Sequence, residues 1–186
     1  MALLPIYLYG SDVLKKKAPR MTVVTDDDIT LIQDMLETMH EANGIGLAAT
    51  QVGVLKQLLV VDISGADDDS APNPIAIINP EIIADDGESE MEEGCLSIPD
   101  IRETVTRPQL IKLRYHDASM KVKVLEADGL LARVIQHEMD HLNGVLFVDH
   151  LSAAKRTFFR NRLRKISKGD IDIDYEFVVE KKKHRR

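Results

Sequence analysis

The sequence is poor in cysteine and has no long apolar run. Its 186 residues contain one cysteine, Cys95, which cannot form an internal disulfide. The thiol is therefore a buried apolar side chain, a reactive nucleophile or a metal ligand. The absence of 18 consecutive apolar residues excludes an ordinary membrane-spanning helix. Residues 1–10 are apolar but lack the basic start and cleavage site of a secretory signal, so we expect a folded segment in a cytoplasmic protein.

The composition is that of one globular domain, with 44% hydrophobic and 30% charged residues and no internal repeat or dividing linker. Charge is unevenly spread. Residues 155–186 hold 12 of the 24 Lys and Arg but only five acids, so they carry +7 while the remainder carries −14. An acidic body argues against binding of DNA, whereas the basic end is suited to an anionic partner.

Apolar spacing predicts three helices. Thr25 and Asp28 resemble a capping box, and the helix that follows should end near Asn43 and Gly44. A second helix is predicted over 130–142, and a third runs from Ser152 to about Lys168. The apolar residues of the first helix are Ile29, Ile32, Met35, Leu36 and Met39.

Strand patterns alternate with these helices. Predicted strands cover 58–63, 75–78, 110–115 and 122–125, and a strictly alternating run, 170–177, predicts another near the end. The acidic stretch 85–94 is expected to be a solvated loop, with Glu93 as its one exception, and 64–74 an exposed loop. Several short strands followed by helices favour an α+β fold.

The second helix carries the pattern HExxH. His137 and His141 lie one helical turn apart, so both rings project from one face and can chelate one metal ion. Glu138, beside the first histidine, is placed to accept a proton from a water molecule at that site. Incidental spacing on an ordinary helix is the alternative, and a third ligand would decide between them.

A third ligand is missing downstream. The metzincin pattern needs a histidine where this chain has Phe147, while Asp149 and His150 are out of register. Glu176 lies beyond another predicted helix. Cys95 is the upstream candidate, since two imidazoles and a thiolate would leave a fourth position open for catalysis.

Three segments resemble the signature motifs of bacterial peptide deformylases. They are GIGLAATQVG at 44–53, EGCLSIP at 93–99 and QHEMDHLNG at 136–144, in the family's order. The resemblance implies an α+β fold of mixed or antiparallel sheets around a central HExxH helix. It also implies removal of the formyl group from the N-terminal methionine of new polypeptides, with release of formate. The catalytic domain would span 1–152, and 153–186 would be a basic helix and tail within that domain or extending it.

The resemblance also assigns site residues. It implies one divalent ion held by Cys95, His137 and His141, usually Fe2+, with Zn2+, Ni2+ or Co2+ as substitutes. It gives Glu138 the role of general base, and the Leu96 N–H and Gln51 amide that of donors to the oxyanion. The expected substrate-binding residues are Gly44, Ile45, Gly46, Glu93, Gly94, Leu130, Arg133 and Val134.

Several neighbouring side chains carry weaker expectations. The Arg133 stem is expected to line the pocket mouth while its charge stays in water. Glu93 and Arg102 are candidates for pairing around the site, and Gln136 for support of the metal ligands. A basic stripe on the third helix suggests docking on the ribosome; it comprises Arg156, Arg160, Arg164 and Lys168.

Two rival functions stay open on the sequence. One is a metalloprotease that cuts internal peptide bonds. The other is a binding module in which the metal only stabilises the fold. Loss of Glu138 would abolish turnover in an enzyme, whereas a purely structural metal site would be unaffected.

Overall fold

The computed structural model describes residues 2–65 and 74–180. The strands are β1 Ile6–Tyr7, β2 Gly46–Ala48, β3 Leu58–Val61, β4 Ile75–Asp86, β5 Ser89–Cys95, β6 Ile98–Arg107, β7 Leu110–His116, β8 Val122–Asp128 and β9 Phe177–Val178. The helices are α1 Asp26–Glu41, α2 Gly129–Leu142 and α3 Ala153–Ile166. Short 3-10 turns cover Asp12–Lys15, Ala49–Val52 and Phe147–His150.

A five-stranded antiparallel sheet forms the platform for α2. Its strand order is β2-β3-β4-β7-β8. The apolar face of α2 packs on this sheet, where Ala132, Val134 and Ile135 join Leu59 and Val61 in one buried cluster. Helices segregated from antiparallel strands confirm the predicted α+β class, with the HExxH helix at its centre.

The acidic stretch 85–94 is mostly strand, so its prediction as a solvated loop is wrong. It ends β4 and forms most of β5, which pairs with β6 from Ser89 opposite Arg107 to Cys95 opposite Ile98. Glu90 and Glu92 stay exposed while Glu93 is buried, because successive strand side chains point to opposite faces. A strand can be acidic when one of its faces is in water.

Helix α1 begins as predicted. The Thr25 hydroxyl accepts a hydrogen bond from the Asp28 N–H, and the Asp28 carboxylate accepts one from the Thr25 N–H at 3.0 Å. The helix is followed by Asn43 in the left-handed region, with φ 54°. Ile32, Met35 and Met39 are buried, whereas Ile29, expected on the apolar face, is exposed.

The C-terminal part packs on a second core cluster, whose buried residues include Ile98, Phe147, Leu163 and Ile166. Ser152 caps α3 through the Lys155 N–H, and Leu163 and Ile166 are buried beside Phe147. The strand predicted for 170–177 is wrong in extent, because only Phe177–Val178 pairs, in parallel with β1. The side chains of 170–176 do alternate between exposed and partly buried, but no strand within residues 2–65 and 74–180 pairs with 170–175.

Two expectations concern residues outside the described ranges, namely most of the loop 64–74 and the basic end 181–186. Within the described ranges, no helix has the length and apolar character needed to cross a membrane.

Candidate metal centre

Three donor atoms meet where the end of β5 approaches α2. The Cys95 Sγ and one ring nitrogen each of His137 and His141 lie within 4.8 Å of one another. The Cys95 Sγ is 3.2 Å from His141 Nε2. The two imidazoles come from successive turns of α2, with ring centroids 5.1 Å apart. The β5–β6 register brings the thiol to them from 42 positions upstream of His137.

The carboxylate of Glu93 orients the first histidine. His137 Nδ1 lies 2.8 Å from Glu93 Oε2, which leaves Nε2 to face the donor cluster. The same carboxylate accepts from Arg107 Nε at 2.6 Å and from Arg133 Nη1 at 2.8 Å. Burial alone would raise the pKa of Glu93, but hydrogen bonds from His137 and Arg107 hold that pKa well below its usual range.

The imidazoles sit in contrasting electrostatic environments. Burial lowers the pKa of both rings, and for His141 the neighbouring His137 lowers it further, well below its usual value. For His137 the hydrogen bonds with Cys95 and Glu93, together with the negative charges nearby, outweigh burial, so its pKa lies well above the usual value. The neutral His141 offers a lone pair, and His137 becomes a ligand by giving up its proton.

These donors fit one divalent transition-metal ion. A thiolate and two imidazoles form a three-ligand set with room for a fourth. The His141 Nδ1 and the Glu138 Oε2 are buried without a hydrogen-bond partner among the described residues. An unpaired carboxylate oxygen beside such donors is suited to water held next to the ion.

Glu138 is buried on the same helix but is not one of the three donors. Burial, opposed by the positive charge of His137 and helped by the negative charge of Glu93, raises its pKa to about 7. A carboxyl group with a pKa near neutrality can both accept and return a proton.

Gln51 also lies close to the Cys95 thiol. Its Oε1 accepts from the Ala48 N–H at 2.8 Å, which turns the amide nitrogen toward the cluster. That nitrogen is 3.7 Å from the Cys95 Sγ and 3.3 Å from the Ser97 Oγ. Leu96 occupies the turn between β5 and β6, and it shares a cleft with Gln51.

This cleft has a volume of about 680 Å³. Its walls include every substrate-binding residue predicted from the sequence: Gly44, Ile45, Gly46, Glu93, Gly94, Leu130, Arg133 and Val134. A Cβ at Gly46 would lie 2.6 Å from Val134 Cγ1 and 2.7 Å from Glu138 Oε1, while one at Gly44 would lie 2.8 Å from Leu96 Cδ1. Both glycines are therefore needed for close packing against the site's own side chains.

One of the weaker expectations is wrong. Arg133 does not keep its charge in water: it is 4% exposed, and its guanidinium donates to Glu93, to the Val105 carbonyl and to the Ser89 carbonyl. The support expected from Gln136 stays a prediction, and its hydrogen bonds act on the helix that carries the two histidines. Its amide nitrogen donates to the carbonyls of Pro108 and Ala132, both at 3.0 Å, and so fastens α2 to the β6–β7 connection.

Glu93 is paired within the site, and Arg102 is paired at its rim. Arg102 is exposed, lies 3.8 Å from Glu92 and lines the cleft opposite Gly94. The cation that Glu93 does bind most closely, Arg107, was missed by sequence reasoning. It follows Ile101 and Val105 on the inward face of β6, so the period of two was a usable signal. Arg107 also binds Asp140 at 2.7 Å.

A buried HExxH helix with an added thiolate and a glutamate outside the donor set is the site of a metal-dependent hydrolase. The sequence model described as polypeptide deformylase matches residues 3–157. The chain belongs to this family.

The similarity to known peptide deformylases extends over nearly the whole chain. A peptide deformylase of Salinibacter ruber is 45% identical over 95% of both chains. One of Cytophaga hutchinsonii is 46% identical over 96% of this chain and 98% of its own. A crystal structure of a peptide deformylase from Legionella pneumophila has a TM-score of 0.82 and 41% identity, covering 91% of this chain and 98% of that one. One from Ehrlichia chaffeensis in complex with actinonin has a TM-score of 0.83 and 36% identity, covering 92% and 100%.

Family membership carries the activity. The chain is a metal-dependent hydrolase that removes the N-formyl group from the N-terminal methionine of newly synthesised proteins, releasing formate.

Proposed function

We propose that deformylation takes place at one divalent ion held by Cys95, His137 and His141, with Glu138 as the general base. The observation that carries this proposal is the meeting of a thiolate and two imidazoles within 4.8 Å at the wall of a cleft. When bound, the ion supplies a Lewis acid that polarises water and the formyl oxygen.

The residues around the ion supply the proton transfers. Amide resonance makes the formyl carbon a poor electrophile and the amine a poor leaving group. Glu138 accepts a proton from the water whose oxygen attacks the formyl carbon. It then delivers that proton to the nitrogen as the carbon–nitrogen bond breaks, so that formic acid and a free amino terminus form. The acid then gives its proton to the amine or to water and leaves as formate. Its pKa of about 7 suits both transfers.

The oxyanion of the tetrahedral intermediate needs donors aimed at it. We assign this role to the Gln51 amide nitrogen and the Leu96 N–H. Gln51 is held by its hydrogen bond from Ala48, and Leu96 directly follows the thiolate ligand. Donors fixed in advance cost no reorganisation during the reaction.

The cleft offers a pocket for the methionine side chain. We assign its walls to Ile45, Leu130, Val134 and His137, which line the same cavity as the metal donors. Gly44 and Gly46 on one side and Glu93 and Gly94 on the other would flank the peptide. Arg133 also lines this cavity, but its guanidinium is bound to the Glu93 carboxylate. We therefore assign it the role of holding Glu93 in place.

Fe2+ is the proposed physiological ion, with Zn2+, Ni2+ and Co2+ as substitutes. A thiolate ligand favours soft or redox-active ions. We expect the iron-loaded protein to lose activity after exposure to hydrogen peroxide, because the iron is oxidised. The Ni2+-loaded protein is the control for damage to Cys95, and an iron form that keeps its activity would contradict the assignment.

An anaerobic assay tests the proposed function. The full chain is loaded with iron, its metal content is measured, and formate release from formyl-Met-Ala-Ser is followed. We expect release that stops on chelation and returns when Fe2+ is added. A peptide with an acetylated terminus and internal bonds distinguishes a metalloprotease, which would cut it. Metal-loaded protein that releases no formate would leave only the binding-module alternative.

The ribosome is a proposed partner, and the cytoplasm the proposed compartment. Arg156, Arg160 and Arg164 are exposed along α3, and nascent formylated chains emerge at the ribosome. A thiolate ligand also suits a reducing compartment. Replacing the three arginines with Glu should weaken salt-dependent cosedimentation with ribosomes, whereas a Lys121→Glu, Lys123→Glu variant at and just before the start of β8 should not. Equal binding by both variants would remove the proposal.

We also propose that residues 153–180 belong to the same domain as 1–152. Leu163 and Ile166 of α3 are buried in one cluster with Ile98 and Phe147. A helix that shares a core in this way should unfold together with the rest of the chain.

A further inference from the structure

The segment 170–180 is tied across the cleft side of the molecule although only its last part is strand. Ile171, Ile173 and Phe177 pack on the second core cluster. The segment is anchored to the N-terminus by backbone hydrogen bonds from Ile6 to Glu176 at 2.9 Å and from Leu8 to Val178 at 3.0 Å. Its place beside the cleft is thus fixed from both the core and the N-terminus.

Tyr175 is the residue by which this segment reaches the site. Its hydroxyl donates a hydrogen bond to the Leu96 carbonyl oxygen at 2.6 Å, across 79 positions of sequence. The side chain is half-buried and lines the cleft together with Asp172, Ile173 and Asp174. The deformylation chemistry described above makes no use of it.

The turn that Tyr175 binds is the one that carries the proposed oxyanion donor. Leu96 is held on one side by its own side chain, which packs so closely on Gly44 that a Cβ there would lie 2.8 Å away. The next residue is fixed by a hydrogen bond from the Tyr9 N–H to the Ser97 carbonyl at 2.8 Å. The Tyr175 hydroxyl binds the carbonyl of Leu96 itself, so it fixes the backbone between these two anchors.

We propose that Tyr175 is a positioning residue for deformylation: its hydroxyl holds the Leu96 backbone so that the Leu96 N–H is aimed at the oxyanion. The inference rests on the role proposed above for Leu96. Donors to an oxyanion act only within a narrow geometry, and a displacement of about 1 Å can cost roughly a hundredfold in rate. The formyl oxygen becomes an oxyanion only after water attacks. Loosening this turn should therefore lower kcat and leave binding of the unreacted substrate unchanged.

The test is Tyr175→Phe in the full, iron-loaded chain, which removes one hydroxyl and keeps the ring. With formyl-Met-Ala-Ser we expect kcat to fall about tenfold, a part of the loss known for removing a whole donor. KM and the inhibition constant of the product Met-Ala-Ser should stay within about twofold, since neither depends on the oxyanion. Tyr115→Phe on β7, outside the cleft, is the matched control and should leave kcat unchanged.

The other outcomes are decisive. An unchanged kcat overturns the proposal. A raised KM and a weaker product constant at unchanged kcat overturn it in favour of a simple wall contact. A loss of activity in proportion to a loss of bound iron overturns it in favour of support for Cys95. If the wild-type chain releases no formate, the proposed function itself fails. A loss of activity confined to the Tyr175→Phe variant would leave the proposed function intact.

Discussion

Glu93 and Glu138 are equally buried, at 4% exposure each, and the molecule uses them in opposite ways. Glu93 is bound by Arg107, Arg133 and His137, so its pKa lies well below the usual range and it stays ionised. One Glu138 oxygen has no hydrogen-bond partner in the described part of the chain, and burial raises the pKa of this carboxyl group to about 7. Partners, and not depth, decide whether a buried carboxyl is a fixed charge or a carrier of protons.

The largest expected effect is on turnover by Glu138→Gln. The amide keeps the shape but cannot accept a proton, so kcat should fall by about 10²–10⁴-fold while the bound metal is retained. Formate release and metal analysis on the same sample measure this. Glu90→Gln, at an exposed position of β5 outside the cleft, should behave as wild type, and a Glu138 variant that retains normal kcat would end its assignment as the base.

Glu93→Gln should act on the structure more than on the chemistry. It leaves Arg133 buried without a carboxylate and Arg107 with Asp140 alone, which should lower the free energy of unfolding by about 3–5 kcal/mol. Loss of the bond to His137 should weaken metal binding by about 10–100-fold. Chemical denaturation and metal titration measure the two effects. If Glu93→Gln were as stable as Glu90→Gln, the arginine pairing would not be what holds this region.

A third carboxylate extends the comparison away from the metal centre. Burial works against ionisation of Asp28, but hydrogen bonds from Lys56 and Thr25 lower its pKa below the usual value. The ionised form therefore adds stability above the unfolded-state pKa near 3.9, and this is lost as pH falls through the lower folded pKa. Asp28→Asn should cost about 1 kcal/mol in free energy of unfolding at pH 7.

The difference between wild type and Asp28→Asn should shrink toward zero as the pH is lowered below that range. Urea unfolding at pH 7 and at successively lower pH measures it. Asp26→Asn, at an exposed position of the same helical turn, is the control. A gap between wild type and Asp28→Asn that stays constant with pH would show that shape, and not charge, is at work.

Local spacing made α2 predictable. His137, Glu138 and His141 lie on one helix, whose geometry places the two rings together whatever surrounds them. The capping box of α1 is equally local, because Thr25 and Asp28 bind each other within three residues. The bounds of both helices follow closely from the sequence for this reason.

Pairing between strands explains what was missed. The acidic β5 was taken for a loop because its charges faced water and its partner β6 carried no strong signal of its own. The segment 170–177 shows the reverse case: its alternation marks which residues face the core, but alternation does not supply a neighbouring strand. Arg133 likewise binds the buried carboxylate of Glu93, which lies within 2.8 Å only because β5 and β6 fold into a hairpin.

Helix geometry alone places the rings of His137 and His141 on one face with Glu138 beside the first of them, and the three motifs point to Cys95 as their companion. The folded chain adds that Glu93 is a fixed charge, that one Glu138 oxygen has no hydrogen-bond partner among the described residues, and that Tyr175 binds Leu96. Helical geometry acts over a few residues, whereas burial and pairing depend on segments that lie far apart in the chain, such as Leu96 and Tyr175 across 79 positions. "EGCLSIP" carries the thiol, but the chain on either side of it sets the surroundings in which the thiol works.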